Sequence, residues 1–373
     1  MLRHFTLIAL TAGIAACSDD ASYAQTPFTT TPVAEFNEPW AMAFLPDGRL
    51  LVTEKRGALK VYSIDRDRVG EVTGVPTVEY GGQGGLGDVV LHPDYATNDL
   101  VYLSYAEPGE RGEAGAAVAR AKLTLNDAGG GTLEDLSVIW RQTPKVDGRG
   151  HYGHRIAFGP DGFLYVSSGE RQKFTPAQDM SGNLGKIVRL NDDGSVPADN
   201  PFAERGGVAA QIWSLGHRNP LGLAFDAQGQ LWNVEMGPQG GDELNRVQRG
   251  ANYGYPLVSN GSHYGGGDIP DHDTRPDLAA PAAFWNPVIS PSSLLFVNGG
   301  ELADWQGDAL IGGLSSTSIV RIEFGSNGTA REAERYRMPR RVRAIEQGPD
   351  GTLWVLEDGR GGQLLKLTPA AVR

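Results

Sequence analysis

One arrangement of apolar and polar positions returns along this chain: an apolar-x-Phe segment, a Pro-Asp-Gly turn, then an apolar-Val segment. It reads AMAFLPDGRLLVTEKRG from Ala41, RIAFGPDGFLYVSSGER from Arg155, GLAFDAQGQLWNVEMGP from Gly222 and AIEQGPDGTLWVLEDGR from Ala344. Pro, Asp and Gly favour a tight turn between two strands, so each copy predicts a β-hairpin. Weaker copies begin at Gly85 and Ser293, and segments such as GKIVRLN, RGALKVYSI and GQLLKLTP predict further strands. Recurrence at intervals of tens of residues signals a propeller or solenoid. The six units predict an all-β, six-bladed β-propeller of antiparallel four-stranded blades, with a β-sandwich pair or β-helix as the competing architecture.

Composition agrees with one long all-β domain. The 373 residues include 51 Gly and 23 Pro, and no long 3.6-residue periodicity provides for a helical second domain. The net charge of −12 argues against nucleic acid or an anionic membrane face as partner, and makes any arginine cluster conspicuous.

The first seventeen residues, MLRHFTLIALTAGIAAC, have a basic start, an apolar run and a lipobox-like end at Cys17, the sole cysteine. They predict a lipoprotein signal peptide over 1–17. Ser18 rather than Asp at the next position favours a periplasmic protein anchored to the outer membrane. The polar stretch 18–32 reads as a flexible tether, and 33–373 as the single propeller domain.

Five loops carry unusual residues. YGGQGGLGDVVLHPD from Tyr80 surrounds Gln83 with glycines, which suits either close backbone approach to a ligand or a flexible turn. GRGHYGHRIAFGPDG from Gly148 sets His151, His154 and Arg155 ahead of a strand. A histidine can act as a base near neutrality, although an isolated loop histidine is more often a surface residue. IWSLGHRNPLGLAFD places His217, Arg218 and Asn219 at a strand entrance. WNVEMGPQGGDELNRVQRGANYGYP offers the oxygens of Gly237, Pro238, Asp242 and Glu243, which hard cations select. YRMPRRVRAIEQGPDG concentrates arginines, and Arg341 and Arg343 alternate as same-face strand positions that suit a planar polycarboxylate or phosphate, or a solvated basic edge. The sequence holds no phosphate loop, dinucleotide fingerprint, HExxH or GxSxG.

Taken together, GGQGGLGDVVLHPD, HYGHRIAFGPDG, AQDMSGNLGKIVRLNDDG, SLGHRNPLGLAFD, EMGPQGGDELNRVQRGANYGYP and RRVRAIEQGPDG resemble the PQQ-dependent aldose sugar dehydrogenases, relatives of soluble glucose dehydrogenase, in the same order over almost the whole mature chain. The resemblance implies a six-bladed propeller that oxidises the anomeric carbon of an aldose to the lactone by hydride transfer to PQQ activated by calcium. It implies His151 as general base and Arg218 as the group that stabilises charge on the quinone oxygen. Asn219, Arg341, Arg343 and Gln83 would contact the cofactor, and Gly237 and Pro238 would bind calcium through their carbonyls. Glu243 and Tyr253 match positions of a second, structural calcium. Electrons would pass to a quinone pool or small carrier, and the short chain suggests a monomer with broad aldose range. Three positions depart from the family pattern: Ser315 replaces a cofactor-gripping lysine, Gly150 an acidic residue and Val288 a threonine. They leave open a propeller that lost its cofactor and only binds, and a calcium-dependent lactonase or esterase stands as a second alternative.

Overall fold

The computed structural model describes residues 23–325 and 328–370. The expected signal peptide, with Cys17, lies outside the described residues.

All four clear repeats form hairpins. Pro39–Phe44 pairs with Leu50–Glu54, Gly153–Phe158 with Leu164–Ser168, Pro220–Phe225 with Leu231–Glu235, and Val342–Gln347 with Leu353–Glu357. The turn chemistry is what the motif requires. Asp47 Oδ1 accepts the Arg49 amide at 3.0 Å, and Gly48, at φ +84°, donates to the Leu45 carbonyl at 2.9 Å. Asp350 and Gly351 repeat both contacts in the last copy. The weaker copies also form hairpins, Leu86–Leu91 with Leu100–Pro108 and Pro291–Phe296 with Ala309–Gly313.

Each hairpin is extended into an antiparallel set of four strands, and two of these sets are joined into one eight-stranded sheet by a two-residue parallel pairing of Val72 and Thr73 with Gly131 and Thr132. The first strands of the sets touch one another in a closed cycle, from Pro39–Phe44 round to Val342–Gln347 and back. The apolar cores follow the same cycle. Trp40, Leu51 and Leu59 meet Val89, Val101 and Leu103, the next core joins Tyr102 and Val118 to Ile156 and Val166, and the ring ends where Ala344, Trp354 and Leu364 meet Met42, Leu50 and Val52. Each sheet thus buries both faces against neighbouring sheets, a nearly all-β arrangement consistent with a propeller.

The last set is completed from the other end of the chain, because Phe28–Asn37 pairs with Arg360–Pro369. This corrects the boundary of the expected tether: residues 28–32 are strand, with Phe28 buried against Trp305 and Tyr336. The strand is otherwise largely exposed, which explains why its polar composition read as linker.

Two cavities occupy opposite ends of the inner strands. One, about 370 Å³, is lined by Trp40, Gln83, Leu221, Arg341 and Arg343, at or just ahead of strand starts. The other, about 420 Å³, is lined by later residues such as Phe44, Asp88, Leu223 and Glu346. Arg155 sits across the axis between them. Its guanidinium donates to the Leu221 carbonyl (2.6 Å), Asp88 Oδ1 (3.1 Å) and the Ser292 carbonyl (2.6 Å), and lies 4.2 Å from the Trp40 ring. One side chain therefore ties its own inner strand to four others.

Candidate active site

The loop ahead of Gly153–Phe158 is held in an unusual backbone shape. His151 has φ +50°, and the loop facing it has Arg171 at +61°, Gln172 at +58° and Phe174 at +63°. Left-handed geometry at non-glycine residues is costly and persists only where surrounding contacts enforce it. Here the contacts are specific. Buried Arg171 donates to the carbonyls of Gly150 (2.9 Å) and Ala114 (2.6 Å) and also to that of Gly148, while its guanidinium lies 3.8 Å from the Tyr152 ring. Gly169 passes so close that a Cβ there would lie 2.1 Å from the His151 carbonyl oxygen.

These constraints aim the imidazole. His151 Nδ1 donates to Glu170 Oε1, and the same carboxylate accepts the amides of Gln172 (2.9 Å) and Phe174 (2.6 Å). Burial pushes the Glu170 carboxyl up, but the hydrogen bonds it accepts from His151 and the Phe174 amide outweigh it and hold Glu170 below the usual carboxylate range. Burial pulls His151 below the ordinary histidine range, against the opposing pull of Glu170. A neutral imidazole whose Nδ1–H is taken by an ionised carboxylate presents its Nε2 lone pair outward.

The residues singled out around His151 form one connected set. Gln83 Oε1 accepts the His151 amide at 2.8 Å and Asn219 Nδ2 at 3.3 Å, and Asn219 Oδ1 accepts the Gly153 amide. The Arg218 carbonyl accepts the Glu170 amide at 2.9 Å, while its Nη1 donates to the Met236 (2.9 Å) and Gly237 (2.6 Å) carbonyls. Arg218 Nε is buried without a partner. His217, Asn219 and Glu235 are buried, and Glu235 receives His217 Nδ1 and the Arg218 amide.

Beside this set, Arg341 and Arg343 converge on one carboxylate. Arg341 Nε lies 2.8 Å from Asp358 Oδ2, and Arg343 donates to Oδ1 at 2.8 and 2.7 Å. Burial would raise Asp358, but the two guanidinium charges hold it low, so it stays an anion that fixes both cations in the cavity wall. Gln83 and Met236 bridge this wall to His151 and Arg218, which lie just behind it.

The expected calcium ligands divide. At the Gly237 turn Asp242 accepts the Gly237 amide (2.9 Å) and those of Ile289 and Ser290, which ties the turn to that segment. The Gly237 carbonyl accepts from Arg218, and two carbonyls alone are far short of the six to eight oxygens that calcium takes. In the second pair the side chains are engaged with protein partners. Glu243 is taken by His272 Nε2 (3.0 Å) and Asn245 (3.2 Å), while the Tyr253 hydroxyl turns to the Arg246 carbonyl and Gln248 amide and its ring stacks on His217. The two therefore serve a buried hydrogen-bonded network. His154 is buried between Trp40 and Tyr152, and burial takes it down to about 3.

Residues 36–366 match the glucose/sorbosone dehydrogenase family. The chain belongs to that family. It is 37% identical over 342 residues to aldose sugar dehydrogenase YliI of Escherichia coli (strain K12), covering 90% of this chain and 91% of the relative. The apo-form structure of soluble aldose sugar dehydrogenase from Escherichia coli superposes with a TM-score of 0.87, at 37% identity over 92% of this chain and 100% of the other. The PQQ-bound aldose sugar dehydrogenase of Streptomyces coelicolor gives 0.74, at 27% identity over 93% and 99%. These relatives support a sugar oxidoreductase.

Three residues of this glucose/sorbosone dehydrogenase family member that hold the candidate site in shape escape sequence reasoning: Glu170, Arg171 and Asp358. Each lies just past the second strand of a hairpin repeat, where Glu54, Glu235 and Glu357 also stand at strand ends. The recurrent carboxylate at that place was the available signal.

Proposed function

We propose that this chain oxidises the anomeric carbon of aldoses to the lactone, with hydride passing to PQQ and His151 acting as general base. The observation that carries the reading is the His151–Glu170 pair beside the Arg341–Asp358–Arg343 cluster, a base and a polycarboxylate cradle joined through Gln83.

His151 Nε2 takes the proton of the anomeric hydroxyl as the C–H bond gives up its electron pair. Glu170, already ionised and hydrogen-bonded to Nδ1, stabilises the imidazolium that results and keeps the ring from rotating. Arg218, whose Nε has no partner, supplies positive charge where negative charge develops on the acceptor oxygen. Arg341 and Arg343, prefixed by Asp358, bind the acceptor's carboxylates, and Asn219 and Gln83 hold the His151 loop in register with them. PQQ, when bound, supplies a two-electron quinone that receives the hydride. The chemistry of the Gly237 and Pro238 carbonyls fits a calcium ion that binds together with the cofactor. We read the closed cycle of four-stranded sets as six blades. Export, lipid anchoring at Cys17, a monomeric state and electron delivery to a quinone pool or small carrier complete the proposal.

The test is reconstitution. The mature chain is prepared without cofactor, PQQ and calcium are added singly and together, and aldose-dependent reduction of an artificial acceptor is followed. Turnover that needs both additions is the expected result; no PQQ binding and no turnover across a panel of aldoses would sink the reading.

A further inference from the structure

Lys55 stands immediately after the strand Leu50–Glu54, in the wall of the 370 Å³ cavity. Its backbone is fixed on both sides: its amide donates to the Glu38 carbonyl (3.0 Å), and its carbonyl accepts the Leu86 amide (3.0 Å). Gly85 must be glycine for this packing, since a Cβ there would lie 2.1 Å from the Lys55 carbonyl oxygen. The side chain reaches across the mouth, where Nζ donates to the Gly82 carbonyl at 2.9 Å.

What sets Lys55 apart is that, among the described residues, its ammonium makes no direct ion pair. Arg341 and Arg343 share Asp358, and the other carboxylate of the wall, Glu38, already takes Arg56 (3.2 Å) and the Tyr80 hydroxyl (2.7 Å). No carboxylate among the described residues lies within ion-pair distance of Lys55 Nζ. An ammonium with one of its three protons bound to a carbonyl still has two donors to offer, and it is held facing two guanidinium groups. Such a concentration of positive charge favours an anion between them. Ser315, by contrast, is exposed and outside the wall, and its hydroxyl donates to the Val288 carbonyl at 3.3 Å.

We infer that Lys55 is the third cation of the cofactor mouth and binds a carboxylate that Arg341 and Arg343 leave unmatched, making good from the first hairpin repeat the cation missing at Ser315. The inference rests on the PQQ reading above.

Trp40 lies in the same wall, so quenching of tryptophan fluorescence reads binding directly, without turnover. PQQ is titrated into wild type, Lys55→Met, Lys55→Gln and Lys55→Arg. Glutamine keeps a donor for the Gly82 carbonyl and removes only the charge. The expected result is affinity weakened about tenfold in Lys55→Met and Lys55→Gln, as for loss of one charge-assisted hydrogen bond, and largely retained in Lys55→Arg. PQQ trimethyl ester, which has no carboxylate charge, should bind wild type and both neutral variants alike. Equal PQQ affinity in wild type and Lys55→Gln overturns the inference while the cofactor reading stands. An equal loss for acid and ester also overturns it, because Lys55 would then serve only packing. Failure of the wild type itself to bind PQQ sinks the cofactor reading instead.

Discussion

The two mouths of this ring are built from the same hairpins, yet they present different side chains. At the end where inner strands begin stand His151, Arg218, Asn219, Arg341 and Arg343. At the other end the Pro-Asp-Gly turns repeat almost unchanged, and the cavity holds Asp88 and Glu346 under the Arg155 plug. The difference lies in how far each end departs from the repeat. The turn end is fixed by local chemistry that any copy supplies. The entrance end is made of loops with positive-φ His151 and Phe174, the first held by Gln83 from another repeat and the second by Glu170 of its own loop. A repeat provides the frame, and function gathers where its regularity is given up.

The plug offers the largest test of that contrast. Replacing Arg155→Met leaves Asp88 buried without its cation and unties several inner strands at once. Unfolding free energy should fall by about 3–5 kcal/mol, read by denaturant titration at pH 7. A loss below about 1 kcal/mol would mean that the channel axis contributes little to holding the ring together.

Glu170→Gln probes the entrance end. Turnover should fall roughly 10–100-fold because the imidazolium loses its ionised partner. The pH profile gives the sign. Glu170 raises the proton affinity of His151, so its removal lowers that pKa, and the acid limb of kcat/KM should move to lower pH as the plateau drops. A lower plateau with an unmoved limb would mark Glu170 as merely structural.

The smallest expected effect belongs to the turn end. Burial pushes the half-buried Glu346 up to about 8, so it stays protonated in the folded chain at neutral pH while the unfolded chain ionises near the usual carboxylate value. The unfolded state therefore binds fewer protons between those values, and stability falls as pH rises from about 4.5 to about 8. Glu346→Gln should remove that slope, adding about 1 kcal/mol at pH 8 after allowance for solvent screening, with turnover unchanged. A loss of sugar oxidation in this variant would place chemistry at both mouths.

Much of this architecture was legible in the sequence because hairpins are local. The Asp47 and Gly48 turn can be read from five residues, and all six repeats proved to be hairpins with the predicted strands. Longer-range pairings were less so. Phe28 opposes Pro369, and nothing near Phe28 announces a partner at the far end of the chain, so residues 28–32 read as linker. In the site the limit is different. His151, Arg218 and Arg343 stand out as ionisable residues beside glycines or in an acidic chain. Glu170 and Asp358 look like ordinary strand ends, and only the register of their own hairpins sets them against His151 and the two arginines. Tyr253 was singled out by position alone, and nothing in the sequence signals that its hydroxyl bonds the Arg246 carbonyl and the Gln248 amide.

The central claim is that His151 removes the proton while other groups hold the cofactor, and His151→Gln tests it most directly. PQQ affinity and aldose turnover are measured on the same calcium-loaded preparations of wild type and variant. The account predicts cofactor affinity within about twofold of wild type and turnover lower by about 10²–10⁴-fold, the range expected for loss of a general base. Turnover equal to wild type with cofactor bound would contradict it.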